Sequence, residues 1–372
     1  MGELFNDLHL LDLKKSPLDL QQLTAAGDPP SPLESSTLTA VCVSGRPGTD
    51  REVVVVFGGF QGDHDGGVSN SLYILQGDDS VSISDAASQH TGLTWTEPIV
   101  HANSAEDGVP DARWGHSAVS WRGKLVLFGG CDGHYLNDTW ILDVSVLAGG
   151  GTRQLLATWM KLQLSSDVRP PCRMGHTCSL VGDTLYVFGG SHSSGGQPPS
   201  TASNDIWKLD LSAAERCWEQ LHISGPPPAP RSSHAAMVLG DRIVFSGGQG
   251  PPTAGAIGKY NSYHFVPRDS FFAGGIATLD ITRGRWLPIQ HPKSSVHVQN
   301  GDDDDGDDGD DGDDDDDDDD GNAGDAQDGE QVWEHRVGHV MVPAPHGLLI
   351  IGGLGYHDDR EVLNDVLHVK LI

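Results

Sequence analysis

Four histidines each stand three residues after an arginine: Arg113 and His116, Arg173 and His176, Arg231 and His234, Arg336 and His339. Imidazoles can ligate a metal or carry protons, and guanidinium forks pair with carboxylates. A second group, Cys131, His134 and Tyr135, gathers ligand-type side chains in the short run CDGHYL. A third is the stretch 302–320, which holds 16 Asp and could attract cations or a basic protein. Its match to a calcium loop (Asp316, Asp318, Asp320, Gly321) reaches Gln327 where a bidentate Glu is required. A poly-Asp run produces such matches by chance. The five cysteines, Cys42, Cys131, Cys172, Cys178 and Cys217, include no CxxC pair, which fits reduced thiols, with Cys42 a small hydrophobe inside an apolar strand. No phosphate-binding Gly-rich loop, HExxH helix or GxSxG elbow occurs, so the sequence offers no ready-made catalytic motif.

The elements that carry these residues repeat. Five apolar runs end in a glycine pair: Gly58-Gly59, Gly129-Gly130, Gly189-Gly190, Gly247-Gly248 and Gly352-Gly353, at spacings of 71, 60, 58 and 105 residues. The arginine and histidine open the apolar strand that precedes four of these pairs; the first copy, STLTAVCV, keeps the strand without the signature. A third strand follows an Asn-Asp (NDTWILD, NDIWKLD, NDVLHVKL), more loosely NSLYIL, and ATLD lacks it. A fourth is led by Trp95, Trp159, Trp218 or Trp286. Four short strands with turn residues between them make one propeller blade. A glycine pair permits a sharp turn beside a crowded axis, and Trp supplies a large wedge between blades.

These runs resemble the Kelch family of β-propellers, whose ring is related to that of galactose oxidase. The resemblance implies an all-β propeller of four-stranded antiparallel blades, with five to six blade positions and one incomplete. The expected division is a single propeller over 1–372. Within it lie an N-terminal partial blade (1–23), blades at 36–97, 112–164, 172–223 and 230–290, and a C-terminal partial blade (335–372). Insertions occupy 249–275 and an acidic, disordered 291–333. The strands may be lettered A (Gly-His), B (Gly-Gly), C (Asn-Asp) and D (Trp). The N-terminal FNDLHLLDL and LDLQQL then read as a C and a D strand, with Leu20 in place of Trp. They either complete the last blade or form a half blade in a sixth position.

The antiparallel path puts the B–C and D–A connections on one face, together with both insertions and the arginines at the ring mouth. The insertion 249–275 carries Tyr260, Tyr263, His264, Phe265, Phe271 and Phe272 with Lys259 and Arg268. Aromatics flanked by cations suit an interface, and they equally suit a packed seal over a blade edge. Arg113, Arg173, Arg231 and Arg336, with His134, Tyr135 and Tyr356, complete the candidate partner-binding set. The arginines could take an acidic peptide or brace their own blades, and recurrence favours bracing. The histidines recur once per blade, as core residues do. The resemblance also extends to galactose oxidase and to iron-dependent specifier proteins. The oxidase's Cys–Tyr pair cannot be identified here, and the Glu, Asp and His spaced four apart in the specifier proteins do not occur. No metal or cofactor is expected.

The expected function is therefore a non-enzymatic protein-interaction scaffold; a metal-dependent oxidase is the competing class. The RWGH and LNDTWILD runs are also similar to plant F-box Kelch proteins, which implies substrate recognition for a ubiquitin ligase, although no F-box precedes the ring. The partner expected is a protein, as an acidic peptide at the ring mouth or a basic protein at the Asp tract. The formal charge is -30, and -14 without those 16 Asp, which disfavours nucleic acid and anionic membranes. No basic, apolar leader opens the chain, so it is expected to be cytoplasmic or nuclear.

Overall fold

A computed structural model describes residues 6–12, 19–43, 51–61, 67–77, 92–147, 154–192, 201–252, 270–272, 275–289, 336–344, 347–355 and 362–369. Every regular element among them is a strand. The first full blade runs A (Thr37–Val43), B (Arg51–Phe57), C (Leu72–Gly77) and D (Leu93–Thr96), each pairing antiparallel with the next. The second has A (Ser117–Trp121), B (Lys124–Cys131), C (Tyr135–Leu147) and D (Gln154–Lys161). The third has A (Thr177–Val181), B (Thr184–Phe188), C (Ile206–Asp210) and D (Trp218–Gln220). In the fourth these are Ala235–Leu239, Arg242–Ser246, Ile276–Asp280 and Arg285–Trp286. The fifth shows A (Val340–Ala344), B (Gly347–Gly355) and C (Val362–Val369). Four-stranded antiparallel sheets in chain order are the β-propeller architecture.

The N-terminal pair, Leu8–Asp12 with Asp19–Leu23, forms its own two-stranded sheet. It stands ahead of the first blade, where Leu23 packs with Val56, Leu75, Leu93 and Trp95. Asn6 donates its amide to the Pro30 carbonyl at 3.0 Å, the bond that Asn137 makes to Pro170 and Asn204 to Pro228, both at 2.9 Å. The pair thus repeats the Asn–Pro bond that strand C makes in the second and third blades. One strand was not anticipated: Ile99–Ala102 runs parallel to strand D of the second blade and covers its outer edge, where unpaired backbone would otherwise face water.

The core lies between blades, and two aromatic contacts build each of the three seams that join the first four blades. Phe57, Phe128 and Phe188, each just before a glycine pair, receive the Trp of the following blade. The ring centroids of Trp159, Trp218 and Trp286 lie 5.0, 5.1 and 5.5 Å away. The same phenylalanines meet the following blade's His116, His176 and His234 edge-on, at 5.5, 5.2 and 5.3 Å. The glycine pair makes room for this. A Cβ on Gly129 would fall 2.9 Å from both the Arg173 carbonyl and the His176 ring of the next blade. One on Gly130 would fall 2.9 Å from the Cβ of its own blade's His116. The first glycine thus serves the neighbour and the second the home blade.

A backbone relay also joins the blades at the mouth. Gly115 donates its N–H to Ser35, Gly175 to Gly115, Ser233 to Gly175, and Gly338 to Ser233, over 2.7–3.0 Å. All five residues have positive φ, between 53° and 67°, which turns each peptide sideways toward the next blade. Ser35 is the counterpart of the glycine in the Gly-His signature, so the first blade keeps the turn without the motif. One sequence expectation fails here: Cys42 is exposed, with Val41 and Val43 buried on either side. Strand A of this blade buries only alternate side chains there, and Cys42 falls on the other face.

Candidate functional site

The arginines precede strand A on the side of the D–A connections, and Arg113, Arg173 and Arg231 are buried rather than exposed at an open mouth. Arg113 and Arg173 are 0% exposed. Arg113 donates Nε to the Asp111 carbonyl and Nη1 to the Gly129 carbonyl, and pairs with both oxygens of Asp138 at 2.7 and 2.9 Å. Arg173 repeats this with Pro171, Gly189 and Asp205, the carboxylate contacts both 2.8 Å. Each carboxylate also accepts an indole N–H two residues on, from Trp140 or Trp207 at 2.6 Å. Asp138 and Asp205, each the Asp of an Asn-Asp, are thus the counter-ions of their own blades' arginines. Burial pushes Asp205 up, but the Arg173 pair, Ser203 and Trp207 outweigh it and hold the carboxyl at about 2. Asp138 is lowered by the same balance of burial against Arg113 and Trp140.

Arg231 departs from this pattern. It is 1% exposed and keeps the carbonyl bonds, Nε to Ala229 at 3.2 Å and Nη1 to Gly247 at 3.0 Å. Among the described residues no carboxylate faces it, and burial alone lowers its pKa to about 10. Arg336 lies in the short strand Arg336–Val337, paired with Leu354 and Gly355.

The histidines sit in the blade seams. His116, His176 and His234 are buried. His116 and His234 share a hydrogen bond of 2.9 Å with Thr37 and Thr177 of the preceding blade. The Ser117 hydroxyl donates instead to the His176 carbonyl at 2.6 Å. Burial, with the adjacent arginine next, lowers His116 and His176 to about 3. His234 lies well below its ordinary value for the same reasons. These rings stay neutral at physiological pH and belong to separate seams. Among the described residues no three His, Cys, Asp or Glu side chains converge as metal ligands.

In the second blade's B–C loop, the Cys131 thiol is buried and pushed up chiefly by that burial. The His134 side chain is 69% exposed, and its backbone N–H is held by Asp132 at 2.9 Å. Tyr135 begins strand C, opposite Cys131. The three therefore share a hairpin but not an environment. Burial pushes the Cys178 thiol up to about 12, which leaves it without nucleophilic character at neutral pH.

The insertion in the fourth blade is closed at its base by a ladder, Gln249–Pro252 against Ser270–Phe272, with Gln249 opposite Phe272 and Pro252 opposite Ser270. Phe271 and Phe272 belong to that ladder. Tyr260, Tyr263, His264, Phe265, Arg268 and Tyr356, with the acidic stretch 291–333, lie outside the described residues. A cavity of about 400 Å³ opens between the first two blades, lined by Phe57, Ser71, Glu97, Val100 and Trp159 among others. Sequence reasoning missed it because it depends on the course of the linker strand Ile99–Ala102.

Comparison with known proteins agrees with this geometry. The family model described as the KLHDC2/KLHL20/DRC7 Kelch-repeats domain matches residues 1–248 and again 68–297. Adagio-like protein 1 of Oryza sativa is 32% identical over 258 residues, 65% of this chain and 34% of that protein. An F-box/kelch-repeat protein of Arabidopsis thaliana is 32% identical over 177 residues, 44% of this chain and 34% of its own length. The chain thus spans about a third of the length of these relatives. The structure titled "Structure of YjhT" superposes with a TM-score of 0.57 at 15% identity, covering 97% of this chain and 88% of that one. That likeness is one of fold. No helix among the described residues is long and apolar enough to cross a membrane.

Proposed function

The chain belongs to the Kelch-repeat family of β-propellers, and from that premise we propose that it is a non-enzymatic scaffold which captures a protein partner on its B–C and D–A face. The observation that carries the reading is the fourth-blade insertion. The ladder between Gln249–Pro252 and Ser270–Phe272 anchors it to the rigid blade, and the residues between, with three Tyr or Phe and two cations, are of the types that dominate interfaces. A variable segment on a rigid repeat scaffold is the usual division between specificity and stability. The F-box/kelch-repeat and adagio-like relatives support a narrower role, recognition of a substrate for ubiquitination by a ligase whose other parts lie elsewhere.

The test replaces 253–269 with a short Gly-Ser turn and leaves the ladder in place. Affinity capture from the native cell should lose its specific partner while the melting transition stays within a few degrees. A collapsed fold would make the insertion a seal over the blade edge, and undiminished capture would move the interface elsewhere.

A further inference from the structure

We infer that the cavity between the first two blades is a binding site for an organic cation, an ammonium or guanidinium group carried on an apolar body; the inference stands independently of the fourth-blade insertion. Strand register shows how the cavity arises. Trp95, Trp159 and Trp218 occupy the same place in strand D of the first three blades. Three residues on stand Pro98, Leu162 and Leu221, and five residues on Val100, Leu164 and Ile223. Leu162 and Leu164 pack into the seam between the second and third blades, and Leu221 and Ile223 into the next. The first seam has the smaller Pro98 and Val100 there, and both line the cavity.

Two bonds that close the later seams also find no counterpart here. The N–H of Leu162 goes to the Thr139 carbonyl and that of Leu221 to Ile206, at 2.8 and 2.9 Å, whereas Pro98 has no N–H to give the corresponding Leu72 carbonyl. Asn137 and Asn204 reach the carbonyls of Pro170 and Pro228, each three residues before an arginine. Among the described residues Asn70 makes no such bond to Pro110, and both line the cavity. Departures from the repeat thus converge on one volume of about 400 Å³, which is the pattern of a site rather than of the construction that all blades share.

The lining selects the ligand. Phe57 and Trp159 form an aromatic wall, and Val100 and Val109, 43% and 37% exposed, an apolar rim. Glu97 is the single charge among the described lining residues, two residues after its Trp, where the next blades have Lys161 and Gln220. The Tyr73 phenol holds that carboxylate: burial first, and then its hydrogen bond to Glu97, raise the phenol, with Asp28 adding to the same negative field. A second acceptor is the Leu72 carbonyl, on another lining residue. A carboxylate and a carbonyl beside an apolar, aromatic cavity suit a cation that donates hydrogen bonds and buries its carbon body. The volume is more than twice the roughly 150 Å³ that takes one benzene, so a phenyl ring with a short ammonium arm fits. A free amine, and a partner's Lys or Arg side chain beside an apolar neighbour, both present this chemistry.

The experiment titrates the whole chain by calorimetry in about 0.15 M salt, which screens the Asp tract. The probes share one skeleton: 2-phenylethylamine, 2-phenylethanol and 3-phenylpropionate. The amine should bind saturably with a Kd of about 1 mM or tighter, at least about tenfold more tightly than the acid, with the alcohol between. Glu97→Gln should bring the amine to the level of the alcohol. Pro98→Leu, which restores the residue and the N–H of the later seams, should abolish binding of all three without lowering the melting temperature. A fluorescent acetyl-Phe-Lys-Phe peptide that binds and is displaced by the amine would assign the site to a partner's side chain; amine binding without peptide binding would assign it to a free small amine. No saturable binding of the amine, equal binding of amine and acid, or amine binding that Glu97→Gln and Pro98→Leu both leave unchanged overturns the inference. Should Pro98→Leu fail to fold, Val100→Phe fills the cavity from its rim, and amine binding retained there has the same effect.

Discussion

The buried Arg173–Asp205 pair couples one blade's inner and third strands through a charge that water does not reach on the arginine side. Asp205→Asn removes the countercharge but keeps the shape, and should destabilise the protein by about 3 kcal/mol. Arg173→Met in the same chain should recover part of that loss, because the stranded charge goes with it. Chemical denaturation of the two single variants and the double variant measures the coupling; strictly additive losses would mean that the pair does not act as a unit. The arginine and the aspartate were each legible in the sequence as repeated residues. Their partnership was not, since they lie 32 residues apart and only strand register brings them together. Recurrence favoured bracing over an open ring of arginines, and Arg113, Arg173 and Arg231 are buried. It could not single out the fourth blade, where Gly275 falls in the aspartate's place only once aligned through Ser246 and Ile276.

Strands are where the sequence spoke most clearly, because alternation, glycine pairs and Trp recur in register. It spoke least where a conformation is kept without its residue type. Ser35 and Ser233 hold φ of 53° at the relay position where the other blades have glycine, and serine gives no sign of that turn. A left-handed conformation costs a residue with a Cβ roughly 1–2 kcal/mol, while glycine loses more backbone freedom on folding. Ser233→Gly should therefore be neutral to about 1 kcal/mol stabilising. Gly190→Ala should be destabilising by more than about 2 kcal/mol, since its Cβ would sit 2.8 Å from both His176 Cβ and the Met174 carbonyl. Thermal unfolding of both variants checks the relay: if Ser233→Gly lost stability, the serine would be contributing a bond of its own. The Ile99–Ala102 strand was illegible for a different reason, as a parallel partner is chosen by the outer edge it covers rather than by its own pattern.

At the scale of the molecule, blades meet through neutral buried imidazoles, so cohesion of the propeller depends on pH. His116 and His176 titrate at about 3 in the fold against 6.5 when exposed, and His234 is displaced in the same direction. Below pH 6.5 the unfolded chain binds protons that the folded chain refuses. Stability is complete above that value and declines as pH falls toward 3, by up to about 1.4 kcal/mol per pH unit for each histidine. The paired aspartates act in a lower window: with Asp205 at about 2, their contribution is lost only below the ordinary carboxylate range near 3.8. Denaturation midpoints should thus drop between pH 7 and 5, before any carboxylate titrates appreciably. His176→Leu should flatten that slope while costing stability at pH 7, because the leucine fills the seam without the charge to be refused. A slope unchanged by His176→Leu, or stability constant from pH 7 to 5, would place the acid sensitivity outside the blade seams.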